Sequence, residues 1–201
     1  MLSLLFSNPI FFLIWSGALV IAITIHEFAH AWMADHLGDP TPSIQGRLTL
    51  NPKAHLDPLG TLTLVLVGFG WGKPVMFDPF NLRNPKRDSA LIALAGPTAN
   101  FILAFILSLL AKLFPSLLPL IQLLVSLNIM LAVFNLIPIY PLDGQKILTG
   151  LLPHQLALEY EAIMHQYGTI LLIFLIWPFS GTSLVSSLIN PIINFFLNLL
   201  L

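Results

Sequence analysis

The chain has 201 residues, 57% hydrophobic and only 8% charged, with a mean hydropathy of +0.89 and a formal net charge of −1. Soluble domains carry about 25% charged residues, so the composition excludes an ordinary soluble domain and predicts an integral membrane protein. Eight Lys+Arg against nine Asp+Glu give no basic surplus for nucleic acid; the absence of cysteine excludes disulfides and thiolate metal sites, leaving His and carboxylate as possible zinc ligands.

Met1–Asn8 has neither a positive n-region nor a small-residue cleavage site, so the first apolar run is expected to be a retained helix. It runs roughly from Ile10 to His36, long enough to span a bilayer with some tilt. Its second half holds Thr24-Ile25-His26-Glu27-Phe28-Ala29-His30, an H-E-x-x-H motif. Histidines four residues apart share one helix face and can grip one Zn²⁺, with the intervening Glu placed to act on a water. Such a motif arises by chance in soluble helices. Here Glu27 is the sole charge between Ile10 and Met33, and ionisable groups within a bilayer are costly enough to point to function.

Gly38-Asp39-Pro40-Thr41-Pro42 ends the helix with turn chemistry. Ser43–Leu50 alternates and reads as a strand or hairpin, followed by a loop from Asn51 to Gly60. Thr61–Gly72 is apolar, only a dozen residues long and broken by Gly68, Gly70 and Gly72. That is short for a crossing and predicts a strand-like or re-entrant segment, with Lys73–Phe77 continuing it as a strand. Arg83, Lys86 and Arg87 mark a basic surface loop. Ser89–Phe114 and Leu117–Ile139 read as spanning helices, and apolar runs follow at Ile163–Phe179 and Ser183–Leu201. The expected fold is a single all-α polytopic membrane domain over residues 1–201. It has about five transmembrane helices plus a short re-entrant or β-strand segment, with the core over about 10–150 and C-terminal helices over about 160–201.

A catalytic zinc takes three protein ligands and keeps one open position. Beside His26 and His30 the candidates are His36, Asp39, His55, Asp57, Asp78, Asp143, His154 and His165. Most lie in loops, where such residues are ordinary and solvated. Asp143 stands apart, because it ends an apolar helix after two prolines and just before Gly144. On residue chemistry alone, a turn or capping aspartate accounts for it equally well.

His26-Glu27-Phe28-Ala29-His30, taken with Asn135-x-x-Pro138-x-x-x-Leu142-Asp143-Gly144, resembles the site-2 protease family of intramembrane zinc metalloproteases. Gly96-Pro97-Thr98-Ala99-Asn100 is similar to a third motif of that family. The run from Gly46-Arg47-Leu48-Thr49 through Asp57-Pro58-Leu59-Gly60 to Trp71-Gly72-Lys73-Pro74-Val75 resembles its compact bacterial branch, and a PDZ or CBS domain is not expected here. The likeness covers about residues 20 to 150. It implies one Zn²⁺ per chain held by His26, His30 and Asp143, with Glu27 as general base. It also implies a catalytic role for Asn135 in holding the oxyanion or the substrate backbone, and a structural or substrate-positioning role for Asn100.

The implied activity is hydrolysis of peptide bonds in or near the transmembrane segment of a single-span membrane-protein substrate, by a multi-pass protein of the cell membrane. Two other functions fit a His/Asp site in a bilayer. A metal transporter would place ionisable residues at successive depths, yet Ile170–Leu201 carries none. A catalytically inactive scaffold would have lost Glu27 or a ligand, yet all are present. If Thr61–Gly72 re-enters, two crossings separate His30 from Asp143 and the ligands meet. Arg47, Lys53, Lys73, Arg83, Lys86, Arg87 and Lys146 then share one face, cytoplasmic by the positive-inside rule.

Overall fold

The computed structural model describes residues 2–67, 70–179 and 181–201. A short helix α1 (Leu2–Ser7) leads into α2 (Pro9–His36). Asn8 caps α2, its side chain accepting from the Phe11 amide, and Pro9 occupies the first turn, where its missing N–H costs nothing. At about 1.5 Å per residue, α2 is about 42 Å long. It closes at Gly38, whose φ of 104° suits a residue without Cβ.

The next segments depart from the expected strands. Ser43–Leu50 forms no strand: Thr41–Ile44 is one helical turn, α3, and Gly46 turns the chain with φ 68°. The alternating apolar residues Ile44 and Leu50 are exposed, so their pattern does not mark a buried sheet face. Local backbone turns replace a ladder: the amides of Ile44, Gln45, Gly46 and Arg47 donate to the carbonyls of Pro40, Thr41, Ser43 and Pro42.

Thr61–Val67 is helical, and Gly70–Gly72 is not. Helix α4 spans Pro58–Val67, ten residues and about 15 Å, half a bilayer core. Gly68 and Phe69 of that stretch lie outside the described residues. The chain ends this excursion where it began, because Leu56 and Gly72 form an antiparallel bridge and the Lys73 amide donates to the His55 carbonyl at 2.8 Å. Gly60 makes the return possible: a Cβ there would lie 2.1 Å from the Trp71 carbonyl oxygen. Lys73–Phe77 joins no strand pair. Its Val75 amide goes instead to the Glu27 carboxylate.

Helix α5 (Pro85–Leu113) starts on an Asn84 cap, with Asp88 in its first turn, and carries Pro97 internally. Helix α6 (Leu118–Asn135) follows a single 3₁₀ turn at Pro115–Leu117 and stops ahead of Pro138. Then come α7 (Asp143–Leu151), α8 (His154–Ile176) and α9 (Leu184–Leu200). Among the described residues the one strand pair is Pro178–Phe179 with Thr182–Ser183.

Among the described residues three helices, Pro9–His36, Pro85–Leu113 and Pro115–Asn135 (the 3₁₀ turn with α6), are long and apolar enough to cross a membrane. The five expected crossings also counted α8, which carries Glu159 and Glu161 near its start, and α9, which has 17 residues. The chain is a polytopic all-α membrane protein. Helices α2, α5 and α6 pack together through small residues: Ala22, Ala31, Ala34, Ala104 and Ala132 are all fully buried, which lets the backbones approach closely. Ala104, Val125 and Ile129 form one core with Val185 and Ile189 of α9; Ala18 and Leu19 of α2 meet Leu127 of α6 in another.

Candidate metal centre

His26 and His30 are both buried, one turn apart on the face of α2 that meets α5. Counting residues to the helix end, they lie about 15 Å and 9 Å from its C-terminus, well inside an apolar crossing. Their rings meet edge to face with centroids 4.6 Å apart. The backbone of α5 fits against them only because residue 96 is glycine: a Cβ there would fall 2.4 Å from His30 Nε2 and 2.7 Å from His26 Cε1.

Asp143 arrives from the other end of the sequence. Helix α6 ends near Leu136, and residues 136–142 turn the chain so that Asp143 opens α7. Gly144 permits that turn, since a Cβ would lie 2.3 Å from the Leu136 carbonyl oxygen. Helix α8 braces it from outside, through the Tyr160 hydroxyl donating to the Pro138 carbonyl at 2.6 Å and through Gly168 against Tyr140. Asp143 Oδ2 consequently stands 3.1 Å from His26 Nε2 and 3.3 Å from His30 Nε2.

The second nitrogen of each histidine is already engaged. His30 Nδ1 is 2.7 Å from the Ile92 carbonyl, and His26 Nδ1 is 2.7 Å from Oδ1 of Asn100. Both partners can only accept, so each Nδ1 carries a proton, and each ring, when neutral, presents its Nε2 lone pair toward Asp143. Three acceptor atoms thus converge within 4.8 Å of one another, and Asp143 Oδ2 is buried without a hydrogen-bond donor. Like-signed lone pairs repel in a buried site unless a cation sits among them. Two nitrogens and one oxygen form a donor set that suits zinc.

The other candidates for a third ligand are engaged elsewhere or stand outside this group. His55 bonds the Thr49 carbonyl, Asp57 caps the Gly60 amide, Asp78 accepts from the Phe80 amide, and Asp39 ties Thr41 to Asp78 and Asn81. His36 stacks on Trp32, and His165 packs on Tyr140. His154 opens α8 and is not among the three. Asn135 donates to the Leu131 carbonyl of its own helix at 3.0 Å, and no described hydrogen bond links it to the three ligand candidates.

Glu27 faces a different neighbourhood. Its Oε2 accepts from the Val75 amide at 3.1 Å and lies 3.9 Å from Arg47 Nη2. Arg47 is buried, donating to the carbonyls of Ala54 and Lys73, and so belongs to the site and not to the basic surface. Sequence reasoning missed this role, and it missed Asn128 of α6, whose Oδ1 accepts from Asn100 at 2.7 Å. For Arg47 the available signal was its place in the Gly46-Arg47-Leu48-Thr49 motif; for Asn128, it was an amide in a largely apolar run.

A buried His–His–carboxylate group with a neighbouring Glu, inside a bundle of membrane-length helices, defines a metallopeptidase-type centre. The comparisons with known proteins agree. The family description "Peptidase family M50" matches residues 113–175. The chain is 37% identical over 147 residues to YwhC of Bacillus subtilis, named as a candidate zinc metalloprotease, the match covering 67% of each chain. It is 32% identical over 146 residues to Rip2 of Mycobacterium tuberculosis (strain ATCC 35801 / TMC 107 / Erdman), also named as a candidate zinc metalloprotease, covering 67% of this chain and 55% of that protein. Zinc metalloprotease MJ0392 of Methanocaldococcus jannaschii is 26% identical over 149 residues, covering 73% of this chain but 36% of its own length. The chain therefore spans little more than half of the Rip2 protein and about a third of MJ0392. No solved structure matches it. The chain belongs to peptidase family M50, the site-2 proteases, and is a zinc-dependent metalloprotease.

Proposed function

We propose that the chain is an intramembrane protease that hydrolyses peptide bonds in or near the transmembrane segment of a single-span membrane protein, at one zinc held by His26, His30 and Asp143. One observation carries this reading: the three ligand atoms lie within 4.8 Å of one another on and beside a 28-residue apolar helix. Zinc bound there polarises a peptide carbonyl and acidifies water. Everything else falls to the chain. Glu27 accepts the proton of the attacking water and returns it to the leaving amine. Its carboxylate is held for that task by the Val75 amide, with Arg47 nearby. The Nδ1 bonds of His26 and His30 keep both rings oriented, so the site is set before substrate arrives. Asn135 is the candidate for holding the substrate backbone or the oxyanion, once its bond to Leu131 is exchanged. A helical substrate must unwind to expose its carbonyl, and residues 73–77, which pair with no other strand, lie against Glu27 where an extended substrate could align.

A cleavage assay tests the reading, using a single-span test substrate in liposomes and the wild type against Glu27→Gln. The wild type should cleave. Glu27→Gln should hold its zinc yet lose turnover, because Gln takes no proton. Equal cleavage by both proteins would remove Glu27 as the base.

A further inference from the structure

Two amides, on two different crossing helices, stand in series behind His26. Asn100 of α5 and Asn128 of α6 are both fully buried. Asn100 Oδ1 faces His26 Nδ1 at 2.7 Å, and its Nδ2 donates to the Ala22 carbonyl at 3.0 Å and to Asn128 Oδ1 at 2.7 Å. Asn128 in turn donates from Nδ2 to the Leu124 carbonyl at 2.8 Å. The two backbone carbonyls can only accept, so each amide has one orientation and every polar atom of Asn100 is used. Between apolar crossing helices a mismatched amide is costly.

We infer that Asn128 is a positioning residue for the metal centre, locking the Asn100 amide in the orientation that keeps His26 Nε2 free to bind zinc. The argument is one of hydrogen counting. Were Asn100 to flip, its NH₂ would face His26 Nδ1, favouring the tautomer with a proton on Nε2 and no lone pair for a metal. In the wild type that flip sets the Asn100 oxygen against both the Ala22 carbonyl and Asn128 Oδ1. Without Asn128 only Ala22 opposes it, and the unflipped amide keeps an unpaired hydrogen. His30 is independent of this chain of amides, since its Nδ1 rests on the Ile92 carbonyl.

The plain alternative is that Asn128 merely glues α6 to α5, as buried amides in membrane bundles do. The inference rests on the zinc-centre reading, so the wild type is measured first. Zinc affinity by chelator competition, the d–d spectrum of the cobalt-loaded protein and thermal stability in detergent are then compared for Asn128→Leu, Asn128→Asp and Val125→Ala. Asn128→Leu removes the acceptor but suits the apolar core. It should bind zinc about 10- to 100-fold more weakly, with a changed cobalt spectrum. Asn128→Asp keeps an acceptor for Asn100 at a cost in stability, and should stay within about threefold of wild-type affinity. Val125→Ala cuts a fully buried side chain on the same helix, and should lower stability alone. Affinity that follows stability across the three variants, or is unchanged in Asn128→Leu, overturns the inference. If Asn128→Leu does not fold, Asn128→Asp decides, a tenfold loss counting against the proposal. A wild type that binds no zinc fails the underlying reading, which is a distinct result.

Discussion

Gly96 of α5 and His30 of α2 approach so closely that a Cβ on the glycine would stand 2.4 Å from the histidine's Nε2. Bare backbone is therefore one wall of the metal centre. Gly96→Ala should raise the intrinsic preference of α5 for helix by about 1 kcal/mol, yet weaken zinc binding by about tenfold or more as the rings shift. Gly17→Ala, where nothing lies within 4 Å, serves as control and should bind zinc like the wild type. Zinc titration of the two variants separates them, and equal affinity would show that the rings have room to spare.

Asp39 is the fastening of the loop that follows α2. Fully buried, it accepts from the Thr41 amide and hydroxyl, the Asp78 amide at 2.7 Å and the Asn81 side chain at 2.8 Å. Burial acts to raise its pKa, but these donors outweigh burial and hold it below the ordinary carboxylate value. A depressed folded-state pKa means that its stabilisation is present above about pH 4 and is lost as pH falls further. Asp39→Ala should destabilise the protein by about 3 kcal/mol at neutral pH, with the difference shrinking in acid. Thermal melts at pH 7 and at pH 3.5 check both statements.

The Leu56–Gly72 bridge makes a topological prediction. A segment that returns to its starting point leaves the loops before and after it on one side of the membrane. The chain has no cysteine, so single cysteines report cleanly. Cysteines replacing the exposed residues Asn51 and Phe80 should both resist impermeant reagents applied outside intact cells, as a cytoplasmic face requires. Labelling of one and not the other would mean that residues 58–72 cross.

What the sequence disclosed follows from the range of the forces involved. His26, Glu27 and His30 sit on one helix, so their geometry is a matter of period, and the long apolar runs announce α2, α5 and α6 directly. Asp143 needed a resemblance, because its partners lie more than a hundred positions away. Arg47 counts in the sequence only toward the motif and the charge bias of one membrane side, because its acceptors, Ala54 and Lys73, are set by a loop fold that no local pattern encodes. Asn128 shows in the sequence only as an amide within a spanning helix, because its role depends on Asn100, on another helix. Residues 43–50 and 73–77 looked like strands because they alternate or favour extended backbone. In 43–50 the amides of Ile44, Gln45, Gly46 and Arg47 go to backbone carbonyls three to five residues earlier, and in 73–77 the Val75 amide goes to the Glu27 carboxylate, so neither run pairs as a strand.

The central claim is that His26, His30 and Asp143 together hold one zinc. Elemental analysis of purified wild type and Asp143→Ala, each with its fold verified, tests it most directly. About one zinc per chain is predicted for the wild type. Asp143→Ala is predicted to hold almost none, its two histidines being too few for a tight site. Full zinc occupancy in Asp143→Ala would contradict the account and send the search for the third ligand elsewhere in the chain.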